Sequence, residues 1–427
     1  MKQEKRDLRW MRLDNAALIF PAALRRSWSN AYRISFSFVD PVDPALLQRA
    51  LDRVAPRFPS VLVRLRPSAF WYFLEELPEP PAVQSDASRP LRGMRMRELR
   101  RCAIRVLWYR ERMAVEYFHS VTDGAGAMVF AKTLAAEYVR LRYGAAVPPC
   151  CGIKDPDEAP RESELVDSFR ENAGPVAAPR DDLNVYRLRG TPEPDGFLHL
   201  SCGLIESDAL RERAKAAGVT VTEWLCAMLL WSILRVQAAE QPDRRRRRRV
   251  KVQIPVDLRR LYGGETMRNF VAVANIGVDP RLGDYELEEL VQIVHHQLQL
   301  SVTPKNMAAI FTQNVRDERN PLLKAVPLPL KNLIMRLVFD RVGENVSCLS
   351  FSNLGQVELP EQMAPYVGRV EFVLGPQASS PYNASCTSWK GTTYFNIVRN
   401  SVEPKLEREF FPELVRRGLH VKLESNG

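Results

Sequence analysis

The sequence predicts an α/β (α+β) protein of two lobes, and three observations carry the prediction. Strand-like and helix-like periodicities mix in both halves of the chain. A stretch rich in Pro, Ala, Asp and Glu, 145–195, has little periodicity of either kind and reads as a linker. The 427 residues call for two or three domains, or two lobes sharing an interface. We divide the chain into an N-terminal lobe, 1–150, a crossover, 151–195, and a C-terminal lobe, 196–427.

The elements follow in order. YRISFSFV at 32–39 alternates apolar and polar residues as a strand does. In 44–58, Leu47, Leu51, Val54 and Phe58 recur at helical spacing. Segments 61–73, 102–109 and 113–119 are strand-like, and the last two read as a hairpin. Side chains alternate along a strand, so Met113, Val115, Tyr117 and His119 share a face and Phe118 lies on the other. AMVFAKTLAAEYVRLR at 127–142 reads as an amphipathic helix, stopped by Gly144. Beyond the linker come a strand at 197–205 and a helix from Ser207 to Ala217, ended by Gly218. Thr220 and Glu223 fit a capping box, and the helix they start, reaching about Val236, is apolar nearly all round and should be buried. Strands at 250–256 and 270–278 flank a loop, a helix covers 285–300, and 301–345 is less regular. Strand-like runs at 346–353, 369–374 and 392–398 complete the second half, and no internal repeat is visible.

Composition narrows the class. With 45% hydrophobic and 26% charged residues the chain reads as globular, and its net charge of +10 favours acidic partners. The seven cysteines are scattered, odd in number and free of any C-x-x-C pair, which points to a reducing compartment. The charged N-terminus lacks a signal-peptide core, and the apolar run at 224–234 is about half the roughly 20 residues a membrane span needs. A cytoplasmic protein without a transmembrane segment is expected. Arg244–Arg249 lies between a helix and a strand and reads first as a solvated loop, second as an anion-attracting patch. With no interleaved aromatics or recognisable motif, nucleic-acid binding is not expected. His295 and His296 are about 100° apart on a helix and cannot clamp one metal, so no metal site is expected. Cys150–Cys151 reads as a surface thiol pair.

The chemistry concentrates in VEYFHSVTDGAGA, 115–127. A strand ends on His119, and a neutral imidazole there can accept the proton of a hydroxyl attacking a carbonyl. Asp123 could orient the ring, pair with an arginine elsewhere, or cap the helix that follows. Gly124 and Gly126 let backbone and ligand approach.

This H-x-x-x-D-G between strand and helix, His119, Asp123 and Gly124, resembles the signature of the CoA-dependent acyltransferase superfamily. That group includes alcohol acetyltransferases, plant acyl-CoA-dependent acyltransferases, mycobacterial lipid acyltransferases and nonribosomal-peptide condensation domains. GVTVTEWLCAMLLWSIL (218–234), IPVDLRR (254–260) with RNFVAVANI (268–276), and SFSNLGQV (350–357) are similar to further family segments, in family order. Arg268 stands where a glycine is common. Phe118 stands where condensation domains usually carry a first histidine, which turns the resemblance towards the O-acyltransferase branches.

The resemblance implies a two-lobed chloramphenicol-acetyltransferase-like fold, mixed sheets flanked by helices, with an active-site tunnel between lobes. It implies an alcohol acetyltransferase-like reaction: acyl-CoA as cosubstrate rather than a permanently bound cofactor, a small-molecule acceptor, and direct transfer without an acyl-enzyme. His119 would be the general base. Asp123 would be structural, pairing with Arg259 or, second, Arg260, while Gly124 leaves room for the thioester. Ser352, Asn353 and Gly355 would shape a turn near the substrate. Ser379, Ser380, Asn383 and Ser385 form a polar stretch that could hold an oxyanion donor. The alternatives are a condensation-type enzyme using a carrier-protein thioester and an inactive binding member of the fold.

Overall fold

The computed structural model describes residues 8–25, 28–86, 90–177, 184–194, 196–319, 325–339, 346–377 and 380–426. Two mixed sheets organise them. The first has five strands in the order Val367–Leu374, Ala31–Phe38, Arg112–Phe118, Ile104–Tyr109 and Gln84–Ser85, antiparallel except for the last pair. The second has seven, in the order Val271–Val278, Val250–Asp257, Leu349–Gln356, Tyr382–Trp389, Thr392–Arg399, His199–Glu206 and Val421–Ser425. Leu349–Gln356 runs parallel to both its neighbours there.

Each sheet closes one core with its own helices. Pro44–Val54 and Gly124–Tyr143 cover the first, and Val221–Glu240, Leu287–Ser301 and Lys405–Arg416 flank the second. The helix expected at 127–142 starts three residues earlier, because Asp123 accepts a hydrogen bond from the Gly126 backbone and acts as its N-cap. It is buried on nearly all sides rather than on one face. Thr220 and Glu223 form the reciprocal capping box, and the helix they start is buried as expected.

Some elements differ from the sequence reading. Segment 61–73 is not one strand: Val63–Pro67 and Tyr72–Glu76 form a hairpin with Trp10–Arg12 at its edge. The Ser68 N–H bonds to Trp71 O at 2.8 Å, turning the chain where Pro67 offers no ladder donor. Among the described residues of 301–345 are two helices, Pro304–Arg319 and Leu328–Val338. Tyr382–Trp389 is a central strand hidden by its polar composition, and Lys405–Arg416 is a helix the sequence reading left out.

The halves are stitched together. Val367–Leu374, drawn from the second half of the chain, forms an edge of the first sheet beside Ala31–Phe38. Ser385 and Asn396 of the second sheet both donate to Phe372 O, at 2.8 and 3.1 Å. In the 151–195 stretch, buried Glu164 accepts from Arg57 at 2.5 and 2.8 Å and pairs with Lys154 at 2.8 Å. Its backbone oxygen receives the Met267 N–H from the other half. Asp123 supplies the third tie: Oδ2 accepts from Arg259 Nη1 at 2.9 Å and from the Phe270 N–H at 2.8 Å.

Burial opposes ionisation of Glu164, yet the hydrogen bonds from Arg57 and Lys154 outweigh it and hold the carboxyl at about 2. A depressed carboxyl stabilises the fold above the unfolded value near 4.5, and that contribution drains away as pH falls from there towards 2. Glu164→Gln should cost about 3 kcal/mol at neutral pH by leaving Arg57 buried and uncompensated. The loss should shrink below pH 4.5 in urea titrations of both proteins. Asp123→Asn should be at least as damaging, by about 3–5 kcal/mol, because it removes the buried carboxylate shared by Arg259, Phe270 N–H and Gly126 N–H and leaves Arg259 only the more exposed Asp257. An unchanged urea midpoint in that variant would refute the structural role of the pair.

Candidate active site

His119 stands where the Arg112–Phe118 strand runs out, and its N–H donates to Asn30 O at 2.9 Å. Two aromatic rings flank the imidazole: Phe20 with centroids 5.3 Å apart and Tyr32 edge-on at 5.1 Å. Tyr32 in turn donates to Thr122 O at 2.8 Å, and the Thr122 hydroxyl donates to Met267 O at 2.6 Å. The loop between strand and helix is therefore fixed at Thr122 through both its carbonyl and its hydroxyl.

The second half of the chain sets the tautomer. His119 Nδ1 lies 3.1 Å from Asn269 Oδ1. The Asn269 amide nitrogen donates to Asp14 Oδ2 at 3.0 Å, and this leaves its oxygen turned towards the histidine. Nδ1 must then carry the proton, and Nε2, with no partner among the described residues, is the free base. Asp14 is fully buried; its Oδ1 accepts from the Ala17 N–H at 2.9 Å, and its Oδ2 also receives the Asn269 N–H at 3.3 Å. Burial pushes its carboxyl up to about 7, while Arg268, 3.9 Å away, pulls the other way. Burial likewise lowers the His119 pKa below 6.5, which keeps the ring neutral near physiological pH.

Asp123, four residues along, does not touch the imidazole. Its oxygens are taken by Arg259, Phe270 N–H and Gly126 N–H. Arg259 also donates to Asp257 at 2.9 Å, Thr266 O at 2.8 Å and Arg268 O at 2.5 Å, so its whole fork is used. Arg260 takes no part in this pairing and lines the cavity instead. Of the two glycines, Gly126 is the one the backbone demands: a Cβ there would lie 2.3 Å from Thr122 Oγ1 and 2.5 Å from Met267 O. At Gly124 a Cβ would meet only the Leu354 side chain, at 2.9 Å.

A cavity of about 860 Å³ opens in front of His119, within the size range of small-molecule sites. Both halves of the chain line it: Phe20, Tyr32, His119 and Gly124 from one, Gln253, Asn269, Ser352 and Phe372 from the other. Ser352 and Asn353 are on its wall and Gly355 is not. These three lie on the Leu349–Gln356 strand rather than on a turn, where the ladder shifts register between Asn353 and Gln356. Gly355, at φ +73°, permits that shift, and Asn353 Oδ1 holds its N–H at 2.7 Å while Nδ2 donates to Thr222. The Ser352 hydroxyl has no partner among the described residues.

The polar stretch after 378 is spent on structure. Ser380 donates to Cys348 O, Asn383 to Gly375 O and Ser385 to Phe372 O; Ser379 lies outside the described residues. His295 Nδ1 lies 3.1 Å from Glu223 Oε1, behind the capping box. Arg244–Arg246 forms an exposed 3-10 turn, with Arg244 paired to Asp284 at 2.5 Å. Asn269 stood in the quoted RNFVAVANI segment but had no assigned task, and Asp14, 105 positions before His119, gave no signal in the sequence.

No protein-family model and no curated protein matches the chain. Solved structures do. Polyketide synthase associated protein 5 from Mycobacterium tuberculosis aligns with TM-score 0.62 and 13% identity over 94% of this chain and 96% of its own. TRI101 of F. graminearum, complexed with ethyl coenzyme A, aligns with TM-score 0.64 and 13% identity over 98% and 100%. The first condensation domain of the CDA synthetase aligns with TM-score 0.55 and 14% identity over 91% and 88%. The chain therefore shares the fold of these three structures, a two-lobed chloramphenicol-acetyltransferase-like architecture.

Proposed function

We propose that the protein is an acyl-CoA-dependent O-acyltransferase that moves a short acyl group, such as acetyl, to an alcohol. The observation that carries the reading is the free Nε2 of a tautomer-fixed histidine facing a cavity shared by both lobes. Support for the donor comes from the structural neighbours TRI101 of F. graminearum and of F. sporotrichioides, each complexed with coenzyme A. Seven free thiols fit a reducing, cytoplasmic setting.

In this mechanism Nε2 takes the acceptor's hydroxyl proton as its oxygen attacks the thioester carbonyl. The imidazolium then returns the proton to the departing CoA thiolate. Phe20 and Tyr32 hold the ring plane, and Asn269 with Asp14 holds the tautomer. Asp123 and Arg259 act on structure only, fixing the loop that carries the base. Gly124 keeps the wall low beside Leu354, and the unengaged Ser352 hydroxyl is available to substrate. Exposed Arg260, on the cavity wall, offers a cation to a phosphate-bearing donor. Acyl transfer from a carrier-protein thioester is the second reading, favoured by the likeness to condensation domains.

Release of free thiol from acetyl-CoA, screened against a panel of alcohols and amines, tests the reading and separates the two donors. His119→Ala should lower kcat by about 10²–10⁴-fold with an unchanged melting curve, and full activity would refute the mechanism. The acid limb of the kcat profile should fall below the ordinary imidazole value of 6.5, since burial disfavours the charged ring. Asp14→Asn supplies one acceptor oxygen where two are used, so it should lower kcat by about 10-fold and displace that acid limb. A change in melting temperature alone would make Asp14 merely structural.

A further inference from the structure

Fifteen large apolar side chains are exposed among the described residues, and five of them sit on the eleven-residue helix Leu328–Val338. Leu330, Leu333, Ile334, Leu337 and Val338, each between 37% and 56% exposed, follow the i, i+3, i+4, i+7, i+8 spacing of a single helix face. That face points away from the protein, while Lys331 and Asn332 of the same helix point inward. Buried Lys331 donates to Phe70 O at 2.9 Å and sits 3.5 Å from the Trp71 ring centroid, and Asn332 donates to Tyr72 Oη at 2.9 Å. The Leu328 N–H bonds to Ala69 O at 2.8 Å. These contacts fix the rotation of the helix, so its apolar outward face is built rather than left over. Phe70, exposed at the tip of the same hairpin, extends it.

The stripe borders the cavity. Its helix lies against Phe20–Ala23, whose Phe20 flanks His119. The residue after the helix, Phe339, lines the cavity and meets Trp28 at 5.8 Å, and Trp28 donates to Pro376 O on the cavity wall. The helix carries Lys331 and Arg336 and no acidic residue, on a chain of net charge +10.

We propose that this face docks the protein on an anionic lipid bilayer, with the Leu330–Val338 stripe among the acyl chains and Arg336 at the headgroups. An apolar face beside an exposed cation, here Arg336, on a chain of net charge +10 is what interfacial helices present to such membranes. The area speaks against a second copy: five half-exposed aliphatic side chains offer roughly 400 Å², about half of what each partner buries in a standard protein interface. Combined with the proposed acyl transfer, on which this clause alone rests, the placement delivers bilayer-resident alcohols to His119.

Co-sedimentation of the full chain with vesicles of phosphatidylcholine alone, or mixed with phosphatidylglycerol, tests the docking. We expect retention chiefly on the mixed vesicles, reduced about tenfold by Leu333→Glu with Leu337→Glu at an unchanged melting curve. Failure of the wild-type chain to sediment with either vesicle overturns the proposal, as does equal retention of the double variant. Self-association of the wild-type chain, lost in that variant and without vesicle retention, would assign the face to a second copy. Thiol release from acetyl-CoA with hexadecanol in the mixed vesicles should fall in the variant, while release with a water-soluble short alcohol should not. Equal release would show that the helix does not deliver alcohols from the bilayer. Vesicle retention with no thiol release from either alcohol would reject acyl transfer and leave the docking standing.

Discussion

The Asp123–Arg259 pair is the constraint on which the site depends. One carboxylate caps the helix behind His119, holds the Phe270 N–H and binds a guanidinium from the other half of the chain. Arg259 passes the connection on to Asp257 and to two backbone oxygens of the 266–268 segment. The following residue, Asn269, meets the histidine. A buried ion pair whose carboxylate accepts three hydrogen bonds and whose guanidinium donates four is costly to break and geometrically strict. Its strictness sets the Asn269–His119 distance, because both ends of that contact hang from it.

The histidine is thus tuned by Phe20, Tyr32 and Asn269, which share the cavity wall with it, and by Asp14 behind them. Aromatic rings and burial keep it neutral, and an amide fixed by Asp14 chooses which nitrogen is free. The Asp14 carboxyl contributes through orientation, at a location where burial makes its own charge unfavourable. Placing the acid one residue removed from the base leaves the imidazole with a neutral hydrogen-bond partner. A neutral amide raises ring basicity less than a carboxylate would, in keeping with an imidazole that burial also holds towards its neutral form.

Much of this was legible in the residues, for local reasons. Alternation exposed the Ala31–Phe38 and Arg112–Phe118 strands, and the capping box announced Val221–Glu240. His119 and Asp123 were readable from their short motif. What escaped depended on partners distant in sequence. Tyr382–Trp389 hides because its Asn383 and Ser385 side chains bond to neighbouring backbone, so a buried strand has a polar composition. Leu328–Val338 hides for the opposite reason, its apolar residues lying outside and its lysine inside. Asp14 could not be found at all, since its meaning comes from a carbonyl–amide geometry assembled across the chain.

The edge strand Val367–Leu374 bears on how the protein is made. Its neighbour Ala31–Phe38 emerges early in synthesis but waits for a pairing partner more than three hundred residues downstream. Until then a mostly buried strand presents open backbone groups, the kind of edge on which unfinished chains aggregate. The first sheet is therefore complete only after that strand has been made. A chain that stops short of residue 374 leaves His119 one strand away from an open sheet edge, so the wall behind the histidine is completed only once that distant strand has been made.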